Sequence, residues 1–137
     1  WAGDTARKYI GQMRIKTPSM ETAVKTLSGG NQQKIVIAKW LAADVEILLL
    51  DEPTRGIDVN AKAEIYELLN AFTEKGGSIL MVSSELPEVL NTSDRVIVIR
   101  EGRLSGELLA REATEEGIMR YASFSEEEIS RKGGGQA

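Results

Sequence analysis

The chain has no cysteine and no histidine among its 137 residues. Without thiols there is no disulfide and no thiolate nucleophile, and without imidazole the commonest zinc ligand and the commonest general base are both gone. Any chemistry must therefore rest on carboxylates, hydroxyls, amides and backbone groups. Aromatic residues make up only 5% and there are 3 prolines, yet 42% hydrophobic and 28% charged residues are ordinary for a globular protein, so one packed domain is expected. The formal charge of −4 supplies no basic field, which argues against nucleic acid as a partner. Long apolar runs are missing too. The longest, Val45 to Leu50, is interrupted by Glu46 and falls far short of the roughly 20 residues that cross a bilayer. No signal-peptide pattern opens the chain, and it begins at Trp1 rather than methionine. The expectation is a piece of a longer protein, cytoplasmic or peripheral to a membrane.

What is present alternates between helical and strand patterns. Asp4 to Met13 reads as a weak helix, followed by a loop through Thr17, Pro18 and Ser19. From Asn31, apolar positions Ile35, Ala38, Trp40 and Leu41 recur at helical spacing, which predicts a helix to about Ala43. Val45 to Leu50 has the pattern of a strand buried on both faces, as in a parallel sheet. Asp58 is placed to cap a helix through Ile65, Leu68, Leu69 and Phe72, which Gly76-Gly77 stops, and Ser78 to Val82 forms a second strand. A short helix near Pro87 precedes two strands, Arg95 to Ile99 and Arg103 to Leu108, joined by the hairpin signal Glu101-Gly102. A last helix spans Thr114 to Tyr121. The fold class is α/β, a mostly parallel sheet with flanking helices and a C-terminal β-hairpin, with residues 1–123 as the domain and 124–137 as a flexible tail. Trp40, Met81 and Phe72 read as core.

Two stretches carry chemistry. Leu27-Ser28-Gly29-Gly30-Asn31-Gln32-Gln33-Lys34 puts a hydroxyl and two side-chain-free residues at a helix start, where unpaired N–H groups and the helix dipole favour an anion such as phosphate. A plain capped helix after a Gly-Gly turn has the same composition, so this stretch alone leaves both readings open. Ile47-Leu48-Leu49-Leu50-Asp51-Glu52 ends a buried strand in two carboxylates, at the sheet edge where ligands of open α/β sheets bind. There Asp51 could hold Mg²⁺ and Glu52 could orient or deprotonate a water, whereas a lone Asp-Glu pair would more simply solvate a loop.

Together, in this order, the two stretches resemble the ATP-binding-cassette ATPases. Leu27 to Lys34 is similar to the family's signature, Ile47 to Glu52 to its Walker B strand with the catalytic glutamate, and Pro53 to Asp58 to its D-loop. The wording of Thr54 to Asp58, Ser83 to Val89 and Glu101 to Gly106 resembles, more narrowly, the second cassette of ribose- and galactose-type sugar importers. The resemblance implies a P-loop NTPase-like core. It also implies ATP and Mg²⁺ as cofactors of an intact cassette pair, with Ser28, Gly29, Gly30, Asn31, Gln32 and Asp58 at nucleotide, Asp51 at the metal, and Glu52 and Ser84 in catalysis. Implied partners are a second cassette, transmembrane permease subunits and, indirectly, a periplasmic sugar-binding protein, with the cassette peripheral on the cytoplasmic face of the inner membrane.

Two departures from the family pattern bear on activity. No G-x-x-x-x-G-K-[ST] phosphate loop occurs in the chain, so it is expected to be inactive alone even though the parent protein would be an ATPase. Ser84 stands where most cassettes place a switch histidine, and a strand-end hydroxyl bonded to nearby backbone is the simpler role for it. The alternative function is a non-catalytic half-cassette that binds a partner or self-associates through an unpaired sheet edge.

Overall fold

A computed structural model describes residues 2–123, and the expected tail, 124–137, lies outside the described residues. These residues form two compact units, one up to Val82 and the other from Ser83.

The first unit begins with α1 (Ala2–Gln12), followed by a loop and a single 3₁₀ turn at Val24–Thr26. Then come α2 (Gly29–Leu41), β1 (Ile47–Asp51), α3 (Val59–Glu74) and β2 (Ser78–Val82). The predicted α3 cap is present: the Asp58 carboxylate Oδ1 accepts from Ala61 N at 3.0 Å. β1 and β2 pair in parallel, from Ile47 with Ser78 to Asp51 with Val82. α2 and α3 pack together over a core of Met13, Ile15, Ile37, Ala38, Ile65 and Leu69, and Leu50 and Ile79 extend it from the strands.

One expectation fails here. β1 is not buried on both faces: Leu48 is 4% exposed but Leu49 is 73% exposed, and Ile47, Leu80 and Val82 are exposed with it. Successive strand residues face opposite sides, and the described helices of this unit cover one side only. Trp40 is a second correction. It is half exposed on α2, with the Lys39 ammonium 5.4 Å from its ring centroid, while Ile37, Ala38 and Leu41 are the residues of that turn packed into the core. Phe72 and Met81 are partly buried.

The second unit contains α4 (Leu86–Thr92), the antiparallel pair β3 (Arg95–Arg100) and β4 (Arg103–Leu109), a 3₁₀ turn at Ala110–Glu112, and α5 (Glu115–Ser123). Glu101 and Gly102 have φ of 51° and 74°, the left-handed pair that a two-residue hairpin needs. Val96, Val98 and Ile118 form the core, and Ile97 and Ile99 face outward. A register shift after Val98 leaves Ser105 unmatched, and its hydroxyl donates to the Tyr121 carbonyl.

Ile65 is fully buried in the core of the first unit, so Ile65→Ala is expected to cost about 2–5 kcal/mol, against about 0.5 kcal/mol or less for Val36→Ala on the exposed side of α2. Urea unfolding of the two variants measures the difference.

Candidate functional site

The start of α2 shows how Ser28 is used. Its backbone is extended (φ −61°, ψ 154°), it occupies the position before the helix, and its carbonyl accepts from Gln32 N at 2.9 Å. Its hydroxyl, however, makes no cap bond to the helix. Instead the hydroxyl oxygen accepts from Asn31 Nδ2 at 2.8 Å, while Asn31 Oδ1 accepts from Lys16 N at 2.9 Å. The capped-helix reading is met in backbone position only, with no cap bond from the Ser28 side chain. The Gln32 side chain turns back, its Nε2 donating to the Leu27 carbonyl at 2.7 Å.

Gly30 sits where α2 meets α3. A Cβ there would lie 2.7 Å from the Ala61 Cβ and 3.9 Å from Asp58 Oδ2, so only glycine allows this approach. The approach creates a polar cavity of about 150 Å³, lined by Ser28, Gly30, Asn31, Asp58, Lys16, Lys34, Asn60, Ala61 and Glu64. Four of the residues singled out in the sequence, Ser28, Gly30, Asn31 and Asp58, thus meet in one place. Gly29 is not in its wall and faces Ile57. A larger cavity of about 400 Å³ lies between α1, the following loop and α2; its walls are mainly apolar and contain no carboxylate.

The floor of the polar cavity holds an ion pair that the sequence did not disclose. Lys34 Nζ, 3% exposed on α2, donates to Glu64 Oε2 on α3. This bond is the main reason the Glu64 carboxyl is held below its ordinary value of 4.5, against the opposing effect of desolvation, and Lys16 and Arg14 add to the effect. Lys34 and Glu64 are 30 residues apart, and no short-range spacing reveals such a pair.

Asp51 and Glu52 are at the carboxyl end of β1, outside that cavity wall. Asp51 is exposed. Glu52 is half-buried with φ 47°, a left-handed conformation that costs a non-glycine residue about 1–2 kcal/mol and is fixed here by Glu52 N donating to the Val82 carbonyl at 2.8 Å. No group of three or more potential metal ligands occurs among the described residues. A single exposed carboxylate still suits Mg²⁺, which keeps several waters and takes phosphate oxygens for the rest of its shell.

Ser84 is exposed in the second unit, and its hydroxyl forms no hydrogen bond with the described residues. Its neighbour Ser83 is the structural one, donating to Glu88 and accepting from Glu85 N at 3.1 Å.

Residues 2–55 match the family model described as ABC transporter. The chain is 57% identical over 126 residues to the ribose/galactose/methyl galactoside import ATP-binding protein 3 of Burkholderia ambifaria, covering 92% of this chain and 25% of that protein. It is 61% identical over 114 residues to the ribose import ATP-binding protein RbsA of Bacillus subtilis, covering 83% and 23%. Among solved structures, the ADP conformation of an ATP-binding cassette of an ABC transporter superposes with TM-score 0.69 at 22% identity, over 97% of this chain and 50% of that one. A dimeric bacterial ABC transporter cassette gives 0.68 at 26% identity, over 80% and 47%.

Fold and motifs together define the class as the ATP-binding cassette of ABC transporters, with its P-loop NTPase fold. Within that class the curated relatives it matches are named as ribose/galactose import ATP-binding proteins, and the chain spans about a quarter of their length.

Glu64→Gln leaves the buried Lys34 ammonium without its counter-charge and is expected to lower stability by about 1–3 kcal/mol at neutral pH. Because folding depresses the Glu64 pKa, the carboxylate's contribution is present above pH 4.5 and is lost as pH falls through the folded value. Chemical unfolding of wild type and variant at pH 7 and at decreasing acid pH should therefore show the two curves converging.

Proposed function

We propose that this chain is the signature and Walker B portion of the ATP-hydrolysing subunit of a carbohydrate importer of the ribose/galactose kind. One observation carries the reading: the Ser28 hydroxyl, released from helix capping, meets Gly30 and Asp58 in a single polar cavity at the start of α2. Such a cavity offers N–H and O–H donors at the positive end of a helix, which is what a phosphate of a nucleotide held by another cassette requires. The names of the relatives support import of ribose or galactose as the parent protein's task.

The roles divide by position. Ser28 and the backbone at Gly29 and Gly30 donate to phosphate oxygens, and Asp58 sets the start of α3 beside them. Gln32 braces the turn through the Leu27 carbonyl rather than touching ligand. Asp51 offers a carboxylate to Mg²⁺ with nucleotide bound to the parent's own phosphate loop, and Glu52 orients and takes a proton from the attacking water. Bound Mg²⁺ would neutralise phosphate charge. Ser84 is a lesser phosphate contact. The permease and a second cassette are the partners of this reading, with the protein peripheral on the cytoplasmic side; no described helix is long and apolar enough to cross a membrane. Residues 1–123 are then part of one cassette. The outward apolar side chains Ile47, Leu49, Leu80 and Val82 suit a sheet that continues against further polypeptide. The same surface favours the second reading, a half-cassette that self-associates without catalysis.

Alone, the chain is expected to show no MgATP binding by calorimetry, since the phosphate loop that positions nucleotide is missing from its sequence. Mixed with a first cassette that carries an intact loop, it should tighten that cassette's ATP affinity, and Ser28→Arg should weaken the effect by about tenfold or more, roughly 1.4 kcal/mol. Firm binding by the chain alone would sink the reading.

A further inference from the structure

The Ser28 hydroxyl can act on an anion only if its own hydrogen points outward, and the hydrogen bonds around it determine that direction. Lys16 N is a backbone N–H and can only donate, so the Asn31 atom facing it at 2.9 Å must be the carbonyl oxygen. The other end of the amide, 2.8 Å from the Ser28 hydroxyl, is therefore the NH₂ group, which can only donate. Ser28 Oγ is thus an acceptor in this bond, and its hydrogen is left for a further partner in the cavity that Ser28 and Asn31 line together. The helix takes nothing from the hydroxyl, since Ser28 makes no side-chain cap.

We propose that Asn31 is a positioning residue for the signature serine: a chain of bonds from Lys16 N–H through the Asn31 amide turns Ser28 into an obligate donor toward phosphate. This rests on the reading of Ser28 as a phosphate contact and adds a reason for an amide three residues later. Alanine at 31 frees the hydroxyl to rotate. Aspartate keeps the shape and the bond from Lys16 N but reverses the bond to Ser28, whose hydrogen then turns to the carboxylate and away from the ligand.

The test is a double-mutant cycle on MgATP turnover by the full-length ATP-binding protein, with kcat and KM separated and the melting temperature of each variant recorded. Ser28→Ala is expected to lower kcat about tenfold, as loss of a hydrogen bond to a charged group does. Asn31→Ala and Asn31→Asp should each lower kcat several-fold, roughly 3- to 10-fold, in the wild-type background and have less than about a twofold effect when Ser28 is already alanine. A merely structural asparagine would give equal losses in both backgrounds, following the melting temperature, and that result would overturn the proposal while leaving the signature reading intact. Wild-type kcat in Asn31→Asp would overturn it as well. Unchanged turnover in Ser28→Ala would remove the signature reading itself, and the role of Asn31 with it.

Discussion

The close approach of α2 and α3 at Gly30 is the constraint from which the first unit's arrangement follows. The two helices begin so near each other that a methyl group on Gly30 would lie 2.7 Å from the Ala61 methyl, inside any permissible contact. One turn further along, the same pair of helices is joined by Lys34 and Glu64. A buried ion pair is weak evidence for stability, because desolvation offsets much of the attraction, but it is demanding about geometry. Gly30 removes bulk at one point and Lys34 with Glu64 supplies directional bonding at the next. Between them they fix the spacing of two helix starts, and that spacing is what opens the polar cavity.

Position in the cavity depends on these contacts more than on the local composition of the Ser-Gly-Gly turn. Asp58 is adjacent to Gly30 because α3 starts there, and it is held in that place by its own bond to Ala61 N. Asp58 and Ser28 are therefore set by one packing event, although 30 residues separate them in the chain. The carboxylates of β1 are positioned differently, by the strand pair: Glu52 hangs from the last backbone bond of the β1–β2 ladder, with its own φ forced positive.

Much of this was legible in the sequence wherever the signal was local. The Asp58 cap and the Glu101-Gly102 hairpin depend on residues within four positions of one another and are found, and the helix expected from Asn31 is found starting two residues earlier, at Gly29. The two-sided burial expected of β1 failed because an apolar run reports the environment a strand is suited to, whereas its actual cover is supplied by other elements. Trp40 failed for a related reason: helical periodicity groups residues on a face without saying how wide the covered face is. Lys34 with Glu64, and Asn31 with the Lys16 backbone, were out of reach because their partners are 30 and 15 residues away.

The uncapped start of α2 gains meaning against this background. A serine before a helix ordinarily satisfies one of the first N–H groups, and giving that up costs a helix about 1 kcal/mol. Here the hydroxyl is taken by Asn31, and no other side chain replaces it as a cap at Ser28. The donors at the start of the helix are then left to whatever enters the cavity, in a chain whose net charge of −4 does nothing to draw in an anion from a distance. Selectivity for phosphate at such a place has to come from short-range donors held in position beforehand. In the proposed reading, a Ser28 hydroxyl that accepts from Asn31 and a glycine at 30 that bares the backbone would supply such donors without needing a basic surface.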